Sequence, residues 1–132
     1  MKDIVVLDGV RTAIGTFGGS LAGTSPIELG SIVAKEALAR SGVEGKQVGN
    51  VVFGHVINTE PRDMYLSRAA SIAAGVPEKA PAMNVNRLCG SGLQAIVSAA
   101  QSLMLGDATM ALAGGSESMS RSPYIVPAIR WG

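Results

Sequence analysis

At 132 residues, with 47% hydrophobic, 16% charged and only 4% aromatic content, the chain is long enough to bury roughly two-thirds of its unfolded surface around an aliphatic core. Eleven basic against ten acidic residues leave a formal charge of +1, with neither a basic block nor interleaved aromatics, which argues against nucleic acid as a partner. One cysteine cannot staple a fold, and the N-terminus turns acidic at Asp3 and Asp8 before any long apolar run, unlike a secretory leader, so the expected setting is the reducing cytoplasm.

In chain order, residues 4–7 form a short β-branched run ended by Asp8-Gly9, which predicts a strand buried on both faces; residues 11–24 are a Gly/Ser/Thr-rich loop. Ser25-Pro26-Ile27-Glu28 joins an N-cap serine, a proline at the first helical position and a glutamate three residues after the cap. Leu29, Ile32, Val33 and Ala37 carry that helix to a stop at Ser41-Gly42. A second strand is expected over residues 48–57 and a helix over 64–74, after the break at Thr59-Glu60-Pro61-Arg62-Asp63. Residues 83–85 read as a third strand, leading into Asn86-Arg87-Leu88-Cys89-Gly90-Ser91-Gly92.

Leu93, Ile96, Val97, Ala100, Leu103 and Met104 then keep helical spacing, and alanines on the opposite face predict a helix buried all round. The serines, glutamines and glycines between Arg87 and Asp107 argue against a membrane span. A fourth strand is expected over residues 109–113, before Gly114-Gly115-Ser116-Glu117 and a Ser/Pro/Met-rich tail without clear period. Strand and helix alternate three times, which predicts an α/β sheet, mostly parallel, with helices on both faces.

Cys89 sits at a strand-to-helix turn between small neighbours, a placement like the nucleophile elbow of hydrolases. A helix N-terminus favours a thiolate and offers N–H groups to an oxyanion, and Gly90, Ser91 and Gly92 let a thioester come close to the sulfur. Thiolate attack on a thioester exchanges one sulfur leaving group for another, so the transfer is close to isoenergetic. The bland reading, a buried free cysteine acting as a small hydrophobe, stands level with this one on spacing alone.

The run from Val85 to Ile96, V-N-R-L-C-G-S-G-L-Q-A-I, resembles the acyl-enzyme signature of thiolases. Gly114-Gly115-Ser116-Glu117-Ser118-Met119-Ser120 resembles their G-G-x-E-x-M-S segment, and Val10-Arg11-Thr12-Ala13-Ile14-Gly15 their V-R-T-x-x-G opening. Thr59-Glu60-Pro61-Arg62-Asp63-Met64-Tyr65 looks like the bacterial broad-specificity 3-ketoacyl-CoA thiolases linked to polyhydroxyalkanoate synthesis. The resemblance implies the first half of the thiolase fold, βαβαβαβ with a five-stranded type of sheet, over residues 1–117, and the start of an inserted loop domain over 118–132. It also implies an enzyme about three times this length, assembled as a homodimer or homotetramer. Its reaction would be reversible Claisen condensation and thiolysis between acetyl-CoA and an acyl-CoA or 3-ketoacyl-CoA, through an acyl thioester on Cys89 whose backbone N–H joins the oxyanion hole.

The coenzyme A thioesters would be substrates, with no other cofactor and no metal. In that family a catalytic histidine, a second cysteine and an asparagine come from a C-terminal half, so these residues alone are expected to be inactive. His55, the single histidine, is read as structural; a cysteine hydrolase survives only if it faces Cys89. Glu117 is read as ordering its loop. Gly114-Gly115 lack the rest of a nucleotide fingerprint, and Arg11, Arg62, Arg68 and Arg87 are assigned to no ligand. The alternative function is a free-standing structural or partner-binding module with an unreactive cysteine.

Overall fold

The computed structural model describes residues 3–131; Met1, Lys2 and Gly132, parts of the expected first and last segments, lie outside the described residues. Three parallel strands form the sheet: β1 (Asn50–Gly54) at the centre, β2 (Ala82–Val85) on one side and β3 (Ala111–Gly115) on the other. The expected α/β class and parallel pairing are thus present, over shorter spans than the hydrophobic runs suggest. Val51, Val52 and Phe53 of β1 are at most 1% exposed, as a central strand covered on both faces requires.

Alternation along β1 divides the core. Val51 and Phe53 join the larger cluster, with Ile27, Ala34 and Leu38 of α1 (Pro26–Ser41) and Leu66 and Ala70 of α2 (Leu66–Ala73). Val52 points to the other face and meets Ala95 and Ala99 of α3 (Ser91–Leu105). Helices on both faces follow from this period of two.

The predicted start of α1 is found in full. Ser25 Oγ accepts from Glu28 N at 3.2 Å, and Glu28 Oε2 accepts from Ser25 N at 2.8 Å. The Ser25 N–H, then its hydroxyl, hold the Glu28 carboxyl below the usual carboxylate range. The cap bond is therefore intact at neutral pH and is lost as pH falls through that lowered value. Gly42, at φ 67°, closes the helix in the left-handed conformation that glycine adopts without strain.

Three expectations need correction. Residues 4–7 form no strand: Val5 and Val6 are 71% and 81% exposed, and the segment pairs with nothing among the described residues. A β-branched run becomes a strand only beside a partner that takes its N–H and C=O groups. Here an apolar cleft of about 790 Å³, lined by Ile4, Val6, Leu29, Leu103, Ala111 and Ala113, separates it from the free edge of β3.

The expected helix over 64–74 begins as a 3₁₀ turn, Pro61–Tyr65, and becomes α-helical only at Leu66. Asp63 is drawn back to the preceding loop, which tightens that turn.

Nor is α3 buried all round. Its small residues Ser91, Ala95, Ala99 and Ser102 face the sheet, while Leu93 is 70% exposed and Ile96 and Met104 more than 40%. Small side chains let the helix approach the strands closely, and the bulky face has no cover among the described residues. The segment Leu88–Leu105 is long and apolar enough, by composition, to cross a membrane. Its α-helical part is 15 residues, about 22 Å at 1.5 Å per residue and short of the roughly 30 Å of hydrocarbon to be spanned.

Candidate active site at the carboxyl end of the sheet

All three strands end on the same side, and so do the residues singled out from the sequence. β2 runs into Asn86 and turns at Leu88, which holds φ 49°, the one non-glycine residue with positive φ among those described. Bulky residues rarely adopt this conformation, so the surroundings must hold it there. Asn86 Oδ1 accepts the Leu88 N–H at 3.0 Å, and Leu88 O accepts from Ser91 Oγ at 2.6 Å. Ser91 Oγ also accepts from Arg87 N at 2.8 Å. Ser91 is therefore more than a small spacer: buried at 4% exposure, it ties the turn to the helix.

The turn delivers Cys89 one residue ahead of the helix cap Gly90, with its thiol exposed. Gly90 N–H donates to Arg87 O and Ser91 N–H to Leu88 O, and the Cys89 N–H takes no part in these bonds. The exposed thiol departs from the buried small hydrophobe of the bland reading. Gly92 has open space where a side chain would project.

Gly54, which sequence reasoning passed over, decides where the helix starts. A Cβ on it would lie 2.6 Å from the carbonyl carbon of Ser91 and 2.8 Å from Gly92 N, so the end of β1 touches the first turn of α3 backbone to backbone. The signal was a glycine closing the run Val51-Val52-Phe53, which marks close approach in a strand. Gly54→Ala is expected to cost about 1–3 kcal/mol through overpacking and to slow alkylation of Cys89 by iodoacetamide as the turn shifts. Denaturant unfolding and alkylation kinetics read the two effects; unchanged values for both would count against this packing. Gly115 makes the neighbouring approach, its Cβ position lying 3.0 Å from Gly54 O.

The Glu117 carboxylate accepts from Val56 N at 2.9 Å and Ile57 N at 3.0 Å. His55 is structural. Its side chain is 2% exposed and Nδ1 lies 2.9 Å from Ser116 O, while no hydrogen bond joins it to the thiol among the described residues. The hydrolase reading finds no direct Cys89–His55 pair among the described residues. Arg68 donates to Glu78 O and Ala80 O, and Arg87 to Gln94 Oε1, so both are spent within the chain. Among the described residues no three His, Cys, Asp or Glu side chains gather as metal ligands.

Comparison with known proteins places this geometry. Residues 4–132 match the family described as the thiolase N-terminal domain. The chain is 65% identical to beta-ketothiolase BktB of Cupriavidus necator over 131 residues, 99% of this chain and 33% of that protein. An acetyl-CoA acetyltransferase of the same organism is 46% identical over all 132 residues, again 33% of its length. Human mitochondrial 3-ketoacyl-CoA thiolase superposes with a TM-score of 0.93 at 37% identity, over 96% of this chain and 32% of that one. A structure of the human enzyme in complex with CoA superposes with a TM-score of 0.87 at 38% identity, over 89% of this chain and 30% of that one. The chain thus spans about a third of the length of the curated relatives it matches.

Proposed function

The chain belongs to the thiolase family, and from that premise we propose that it is the nucleophile-bearing part of a longer coenzyme A-dependent acyltransferase. Cys89 Sγ, as the thiolate, attacks the thioester carbonyl of an acyl-CoA or the 3-keto carbonyl of a 3-ketoacyl-CoA. The electron pair moves onto the carbonyl oxygen, where the free Cys89 N–H stabilises it. Collapse expels a thiolate, or the acetyl-CoA carbanion when a 3-ketoacyl-CoA is cleaved, and leaves acyl-S-Cys89. In synthesis a carbanion from acetyl-CoA then takes the acyl group, and in breakdown the thiolate of CoA does; either step returns the sulfur to Cys89.

The observation that carries this reading is the exposed thiol at a turn held by Asn86 and Ser91. His55 is committed elsewhere, so the bases for Cys89 and for acetyl-CoA come from the remaining two-thirds of the enzyme. The chemistry requires no metal and no cofactor beyond the thioester substrates. A homo-oligomer in the cytoplasm, acting on the 3-ketoacyl-CoA class that broad-specificity beta-ketothiolases take, completes the proposal.

Mixing the full-length protein with acetyl-CoA and digesting it at low pH should yield the Cys89 peptide carrying one acetyl group, detected by mass spectrometry. An unmodified Cys89 under conditions of steady turnover would sink the proposal and favour an idle cysteine. These 132 residues alone should take up iodoacetamide at Cys89 yet release no acetoacetyl-CoA.

A further inference from the structure

We propose that Asn86, acting with Ser91, is a positioning residue that sets the plane of the Leu88–Cys89 peptide and so presents the Cys89 N–H, unpaired, to the carbonyl oxygen of a bound thioester. Leu88 holds φ 49°, in the left-handed region that a leucine occupies only under restraint. Its side chain is not what restrains it: Leu88 is 69% exposed, so packing against the described residues does little.

The restraint acts on its backbone groups. Asn86 Oδ1 accepts the Leu88 N–H at 3.0 Å, and the Leu88 carbonyl oxygen accepts from Ser91 Oγ at 2.6 Å and from Ser91 N at 3.0 Å. The Ser91 hydroxyl in turn accepts the Arg87 N–H at 2.8 Å. Asn86 can present only this end of its amide to Leu88. Its Nδ2 lies 3.5 Å from Val56 O, and exchanging the two ends would set oxygen against oxygen and NH₂ against N–H. Val56 is tied through its own N–H to Glu117 at 2.9 Å, so the Asn86 side chain, at the end of β2, is referenced to the segments that follow β1 and β3.

A trans peptide is planar, and no cis bond occurs among the described residues, so each C=O points opposite to the N–H of the next residue. Holding Leu88 O toward the first turn of α3 therefore turns the Cys89 N–H away from that helix. Along the turn the N–H groups of Arg87, Leu88, Gly90 and Ser91 are all taken, and that of Cys89 has no partner among the described residues. An N–H left unpaired in the resting chain breaks no bond before it meets developing negative charge.

Without the Asn86 acceptor the left-handed strain is no longer offset. Leu88 relaxes to negative φ, the peptide plane turns, and the Cys89 N–H swings with it while the sulfur stays exposed. The defect is selective for that reason. Acyl transfer puts charge on a carbonyl oxygen and slows; alkylation by iodoacetamide, a displacement at carbon that expels iodide, puts none there and continues. This selectivity rests on the acyltransferase reading, whereas the orientation of the peptide does not.

Three measurements on the full-length protein test this. Amide hydrogen exchange of the parent should find Cys89 less protected than Leu88, Gly90 and Ser91; a Cys89 amide as protected as these would overturn the proposal without any variant. In a single turnover read by mass spectrometry, Asn86→Ala should acetylate Cys89 from acetyl-CoA about 10- to 100-fold more slowly than the parent, with iodoacetamide alkylation kept within about three-fold. Adding Leu88→Gly should bring acetylation back to within about five-fold of the parent, since glycine holds a positive φ unaided. Equal losses in both reactions, or no recovery with glycine, would refute the positioning role. A parent whose Cys89 is never acetylated would instead remove the acyltransferase reading, and the exchange pattern then decides the orientation of the peptide by itself.

Discussion

Cys89→Ala in the full-length protein is expected to lower acyl transfer by at least about 10³-fold while leaving stability unchanged, because covalent catalysis has no substitute when its nucleophile is removed. The two halves of that expectation have separate grounds. Cys89 is exposed in these 132 residues, so none of their core contacts is lost with it, and a surface substitution of this kind shifts stability by no more than about 0.5 kcal/mol. The proposed chemistry, by contrast, passes through the sulfur in both directions. Steady-state kinetics with acetoacetyl-CoA and a thermal melt on the same preparation check both. Activity within ten-fold of the parent would mean that the acyl group travels by another route, and a large fall in melting temperature would mean that the thiol is a packing element after all.

Phe53→Ala should cost about 3–5 kcal/mol of stability, a large share of the roughly 5–15 kcal/mol that holds a domain together. Phe53 is 1% exposed, at the centre of the central strand. Its ring fills the space above two glycines: a Cβ on Gly30 of α1 would lie 3.4 Å from Cε1, and one on Gly114 of β3 would lie 3.1 Å from it. Neither glycine has a side chain to move into the vacated volume, so the cavity stays open and the penalty falls at the upper end of the range. Urea unfolding followed by circular dichroism measures it, with Phe53→Leu as the milder control. A loss below about 1 kcal/mol would show that the layers collapse onto the gap. Activity should fall with stability here, unlike in Cys89→Ala, which separates the frame of the site from its chemistry.

Much of this architecture was legible beforehand because local rules and global structure agree. Ser25, Pro26 and Glu28 specify a helix start through bonds among themselves, whatever else surrounds them. The threefold alternation of strand and helix placed helices on both faces, and the small residues around Cys89 left room for a thioester to approach its sulfur. Asp63, Asn86 and Gly54 escaped notice for a shared reason. Each acts on a backbone group that is distant in sequence, or placed only by a turn, and composition carries no trace of such a partner.

From the sequence alone came the class of the fold and the family, since these rest on periodicity and on three ordered motifs contained within the chain. Tertiary structure decided what depends on a neighbour across space. Residues 4–7 have the composition of a strand but, among the described residues, no partner to accept their hydrogen bonds, so they stand apart from β3. The second face of α3 has the apolar spacing of a buried helix and nothing over it among the described residues. His55 could be a base or a core residue from its place in the run, and the tertiary structure put its buried ring against Ser116 O, a partner 61 residues away.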